Sequence, residues 1–102
     1  MELSENARQV LGHIPYGGSH AVPLKDIAKK IGRSYITAQM AVKEIREAGY
    51  PVCASPNEPR GLYMARNAAE LEEYVRMTSA RVLELTKTLN AAKAALRYMK
   101  GE

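Results

Sequence analysis

Leu24-Lys25-Asp26-Ile27-Ala28-Lys29-Lys30-Ile31-Gly32-Arg33-Ser34 contains the body of one helix and the cap of the next. Leu24, Ile27, Ala28 and Ile31 recur at helical spacing, and Pro23 suits the first turn of such a helix because a missing N–H costs nothing there. Gly32 terminates this second helix. Ser34 is placed to cap a third, running to about Ala48, with Ala38, Val42 and Ile45 on one face and Gly49 closing it. The link from Gly32 to Ser34 is so short that the pair reads as a helix-turn-helix.

On the N-terminal side, Ser4 caps a first helix over residues 4–14, in which Ala7, Val10, Leu11 and Ile14 keep helical spacing and Pro15 with Gly17-Gly18 ends it. His20-Ala21-Val22 is a short extended stretch. On the C-terminal side, Tyr50 to Ala54 and Leu62 to Arg66 are β-prone runs flanking the turn-rich Ser55-Pro56-Asn57-Glu58-Pro59-Arg60-Gly61. Three helices followed by a hairpin is the layout of a winged helix-turn-helix domain, expected over residues 1–66. The expected class is therefore mainly α with a small β-hairpin, followed over residues 67–102 by a long C-terminal coiled-coil helix.

That helix follows from a change of pattern after Asn67. Leu71, Val75, Thr78, Val82, Leu85, Leu89, Ala92, Leu96 and Met99 alternate spacings of four and three without a break, which is a heptad seam. Val75, Val82, Leu89 and Leu96 are the a positions; Leu71, Thr78, Leu85, Ala92 and Met99 are the d positions. A helix of about 34 residues spans roughly 50 Å, more than a domain of this size covers, so the seam is expected to pair with a second copy. A helix folded back as a longer core element is the alternative. Glu70, Glu72 and Glu73 crowd its start and Lys93, Arg97 and Lys100 its end, so an antiparallel homodimer, with Glu72 facing Lys100, is favoured over a parallel one.

Length and composition narrow the function. At 102 residues the chain is one domain with an appendage, and its 46% hydrophobic and 25% charged content is ordinary for a globular protein. Six Tyr with no Phe or Trp leave the core to aliphatic residues. No apolar run is long enough to cross a membrane and the start lacks a secretory profile, so no membrane partner and a cytoplasmic location are expected. The single Cys53 excludes an internal disulfide and is read as a small buried packing residue. His13 and His20 have no ligand-spaced partners, so neither a metal nor a cofactor is expected. No nucleophile arrangement is legible, so the chain is not expected to be an enzyme. A small-molecule ligand is not expected either.

The net charge of +4 favours an anionic partner, and Lys25, Lys29, Lys30, Arg33, Lys43 and Arg46 outnumber Asp26 and Glu44 across the two central helices. With Ala38, Val42 and Ile45 inward, the other side of the third helix offers Tyr35, Ile36, Gln39, Met40 and Lys43 to a major groove of double-stranded DNA. Gln39 suits adenine, and Ile36 or Met40 a thymine methyl. Lys29, Lys30, Arg33, Ser34, Thr37 and Arg46 are the candidate phosphate contacts, and Asn57 and Arg60 the candidate wing residues. The competing reading is a protein-interaction module, with Tyr35, Ile36 and Met40 as an apolar docking patch and the coil recruiting a different helix.

The stretch from Leu24 to Ser34, with Ala38, Val42, Ile45, Arg46, Gly49-Tyr50-Pro51-Val52 and Arg60-Gly61-Leu62-Tyr63-Met64, resembles DNA-binding domains of the biotin-repressor type over about residues 4–66. With the tail, especially Leu71 to Arg81, the whole chain is similar to small winged-helix proteins of bacteriophages and prophages. The resemblance implies DNA binding in transcription control or replication. Arg33 stands where such turns commonly carry an apolar residue, and Pro56 and Pro59 where a compact Gly-containing wing turn is usual.

Overall fold

In the computed structural model, which describes residues 2–102, Ser4 Oγ accepts the Ala7 N–H at 3.2 Å and starts α1 (Glu5–Leu11). The helix ends at Gly12, earlier than the expected residue 14, because glycine is a poor helix former and His13 and Ile14 turn back more tightly onto the Val10 and Leu11 carbonyls. Pro15 and Gly17-Gly18 are thus not its terminators. They belong to a loop with one 3₁₀ turn, Gly18–His20.

Helix α2 (Leu24–Ile31) is capped by Pro23, whose ψ of 139° lies outside the helix, so Pro23 precedes the first turn and does not form part of it. Gly32 closes α2 in the left-handed conformation at φ 69°. Ser34 then accepts the Thr37 N–H at 3.1 Å and opens α3 (Tyr35–Glu47). Strands β1 (Val52–Ser55) and β2 (Gly61–Met64) form an antiparallel hairpin with Val52 opposite Met64 and Ser55 opposite Gly61. Both strands differ from the expected bounds, for a local reason. The Tyr50 N–H closes the end of α3 on the Ile45 carbonyl, Pro51 has no N–H, and the Ala65 N–H is taken by the Pro51 carbonyl.

The segment between α1 and α2 adds two bridges to β2. Val22 and Leu62 exchange N–H···O bonds of 3.0 and 2.8 Å, and Met64 bonds to Pro15 and Gly17. Gly61 is required at this junction: its φ is 137°, and a Cβ would overlap the Val22 carbonyl carbon and the Pro23 nitrogen. Ala7, Val10, Ile14, Ile27, Ala28, Ala38, Ala41, Val42 and Ile45 from the helices meet Val52, Leu62 and Met64 from the hairpin in one core. Leu11, Leu24 and Ile31, expected inside, are half-buried at its margin. Cys53 is fully buried, and that burial pushes its thiol above the ordinary range.

Two carboxylates tie distant segments together. Glu44 on α3 accepts the Ser4 N–H at 2.6 Å and the Ser4 hydroxyl at 2.7 Å. Glu70 accepts the Arg66 N–H at 2.8 Å and the Gly18 N–H at 3.2 Å. These backbone donors hold both carboxyls below their ordinary value of 4.5.

Asn67 Oδ1 accepts the Glu70 N–H at 3.0 Å at the start of α4 (Ala68–Lys100). The chain divides into two units, Met1–Leu71 and Glu72–Glu102, so the first unit takes in the beginning of α4 and ends beyond the expected residue 66. The second unit is the remainder of that helix with Gly101 and Glu102 after it. No residue of α4 is buried, and it is not long and apolar enough to cross a membrane; nor is any other described helix. The protein is mainly helical, with four α-helices among the described residues, one antiparallel hairpin and a long C-terminal helix.

Gly61→Ala is expected to lower the unfolding free energy by about 2 to 4 kcal/mol through backbone strain and overlap, measured by urea denaturation. Glu44 binds a proton less readily folded than unfolded, so its stabilisation is fully present above about pH 4.5 and is lost as pH falls through the lower folded-state value. Glu44→Gln is therefore expected to flatten the acid limb of a midpoint-against-pH profile.

Candidate functional site

Helix α3 separates its side chains into two arcs. Ala38, Ala41, Val42 and Ile45 are buried against α1 and α2. At 100° per residue, Tyr35, Arg46, Gln39, Lys43, Ile36, Glu47 and Met40 occupy the opposite arc of about 140°. All seven are exposed. Tyr35 is 50%, Ile36 69% and Met40 68% accessible, a large apolar content for a free helix face.

The hairpin stands beside this face. Between them lies a cleft of about 520 Å³, walled by Tyr35, Gln39, Lys43 and Arg46 from α3 and by Ala54, Ser55, Gly61 and Leu62 from the strands. Arg46 Nε donates to the Val52 carbonyl at 3.1 Å, so its guanidinium braces β1 against α3 while also lining the cleft. Sequence reading missed this brace, and it missed Glu47. Glu47 lies one turn beyond Lys43 and lines the same cleft, bringing a negative charge into an otherwise neutral and basic face. Its spacing from Lys43 was the signal that could have found it.

Ser34 uses its hydroxyl within the helix start: the oxygen accepts the Thr37 N–H, and the proton points to Thr37 Oγ1 at 2.9 Å. Half-buried Thr37 therefore has its own hydroxyl proton to direct elsewhere. Lys29 and Lys30 are exposed in the last turn of α2, where positive charge also suits the helix dipole, and Arg33 is exposed in the link before α3. At the hairpin tip Asn57 is exposed, and Arg60 forms an ion pair with Glu58 at 3.7 Å. Both partners of that pair are largely in water, so it is worth little and exchanges readily for another anion.

The expected seam residues lie on α4. Leu71 and Thr78 are half-buried, and Val75, Val82, Leu85, Leu89, Ala92, Leu96 and Met99 are exposed. Leu83 and Tyr98 are exposed as well and lie off the seam. Among the described residues no group of three His, Cys, Asp or Glu side chains is placed to hold a metal ion. No protein-family model, curated protein or solved structure matches the chain.

Proposed function

We propose that the first unit is a winged helix that binds double-stranded DNA by laying the exposed arc of α3 in the major groove, in the service of transcription control or replication in the cytoplasm. One observation carries this reading: large apolar, amide and cationic side chains share a single exposed arc on a helix whose other arc is fixed in the core. A groove edge offers partners to all three types. Gln39 pairs with the N6 and N7 of adenine, and Ile36 or Met40 covers a thymine methyl, each contact discriminating by about 1 to 3 kcal/mol. Tyr35 and Lys43 extend the reading face on either side of Gln39.

Sequence-independent attraction comes from Lys29, Lys30 and Arg33, with Thr37 donating to a phosphate oxygen beside the start of α3. Arg46 serves chiefly as the brace that sets the hairpin's position, adding positive charge near the backbone. With the hairpin fixed, its tip carries Asn57 and Arg60 towards the flanking minor groove. Glu47 is an acceptor only, so it favours a cytosine amino group and opposes a phosphate.

Anisotropy titrations of a fluorescent duplex test this. Affinity is expected to fall steeply between about 50 and 200 mM salt, and replacing Lys29, Lys30 and Arg33 by Ala lowers the slope of log affinity against log salt by about 0.9 for each phosphate no longer neutralised. Gln39→Ala is expected to weaken A·T-containing sites by about 1 to 3 kcal/mol while leaving that slope unchanged. Binding that is indifferent to salt and to all these substitutions contradicts the proposal and favours a protein docked on Tyr35, Ile36 and Met40.

A further inference from the structure

Apolar side chains on the second unit repeat at heptad spacing and remain in water. Val75, Val82, Leu85, Leu89 and Leu96 are between 52% and 63% accessible, and Met99 is 82% accessible. A stripe of this kind at alternating spacings of four and three fits another helix of the same repeat. We propose that its occupant is a second copy of this chain, running antiparallel, in the register that sets Leu85 against Leu89 of that copy.

Side-chain size selects the direction. A parallel homodimer stacks each layer on itself, so Thr78 meets Thr78 and Ala92 meets Ala92, leaving two underfilled layers. Underfilled layers lose the dispersion contacts that close packing supplies. The antiparallel register instead sets Thr78 against Leu96, Ala92 against Val82 and Val75 against Met99. Every small residue then faces a larger one, and the most exposed apolar side chain of the seam, Met99, is covered.

The surface of α4 is open where this register places a knob. A shallow groove of about 340 Å³ is lined by Val75, Thr78, Ser79 and Val82, with Tyr74 at its side. Those four positions, a, d, e and the following a, form the hole into which a facing knob inserts. In the proposed register the knob is Leu96. Of the two antiparallel registers one heptad away, one leaves Met99 beyond the seam and draws in Leu71, which is half-buried and belongs to the first unit, and the other leaves Val75 and Thr78 without partners.

Charge agrees with size. Glu72, at an e position, comes within two residues of level with Lys100 of the second copy, also an e position, so the two face each other across the seam, while Lys93 and Arg97 fall level with Arg81 and Met77 and add nothing to this contact. Parallel pairing would set the acidic starts of the two helices like against like. Because Glu70 is engaged by the Gly18 and Arg66 backbone, Glu72 is the better placed acid for this contact.

Mixed disulfides between full-length chains test direction and register together. A Val75→Cys chain mixed with a Met99→Cys chain in a glutathione redox buffer is expected to give the mixed disulfide at least tenfold faster than either homodimer. In the proposed register two Val75→Cys sites lie about 36 Å apart along the coil, whereas in a parallel pair they are adjacent. The unsubstituted chain, with Cys53 buried, is the control. In sedimentation equilibrium Leu85→Lys is expected to shift the mass from dimer to monomer. Glu72→Lys is expected to weaken the dimer, and Glu72→Lys with Lys100→Glu to restore it. Dominant homodisulfides at residue 75, or a monomeric mass for the unsubstituted chain at about 100 µM, overturns the proposal.

Discussion

The burial of Ala38, Ala41, Val42 and Ile45 against α1 and α2 is the constraint on which the first unit depends. Two of the four are alanines, which let the backbones approach closely, while Val42 and Ile45 supply the apolar area that fixes α3 about its own axis. Rotation by one residue would carry about 100° of helix surface out of the core and put Gln39 or Lys43 into it, at the cost of burying an unsatisfied polar group. One buried arc therefore determines which side chains α3 shows to water.

Polar contacts then lock the elements around that helix. Glu44 reaches from α3 to the start of α1 through both the Ser4 N–H and the Ser4 hydroxyl, and Arg46 reaches from α3 to β1 through the Val52 carbonyl. Gly61 lets β2 lie directly against Val22, so the hairpin is held by the chain between α1 and α2 as well as by its own ladder. The second unit follows the opposite logic. Its helix has no buried residue of its own, and its seam gains packing only when another surface covers it.

Much of this was legible in local sequence. Ser4, Gly32, Ser34 and Gly49 punctuate the helices as cap chemistry requires, and the apolar spacing of α3 identified its core face except for Ala41. Errors arose where a nearer or longer-range interaction prevailed. Gly12 stopped α1 before Pro15 could, and the β-prone run at Tyr50 was claimed by the closure of α3. The Glu44 and Glu70 contacts span 40 and 52 residues, and the Val22 bridge to Leu62 depends on a tertiary approach. Periodicity carries no information about such contacts. Within the candidate site, the exposed residues of α3 were all anticipated except Glu47, whereas the role of Arg46 as a brace needed the hairpin in place.

A titration of the ¹⁵N-labelled full-length chain with duplex DNA at low salt tests, residue by residue, whether the exposed arc of α3 meets a duplex. Amide signals from Tyr35 to Lys43, with that of Arg33, are expected to shift together and saturate, with the buried α1 residues Ala7 and Val10 unmoved. Saturating shifts confined to α4, or none on α3 at DNA concentrations that bind the protein, would contradict that contact.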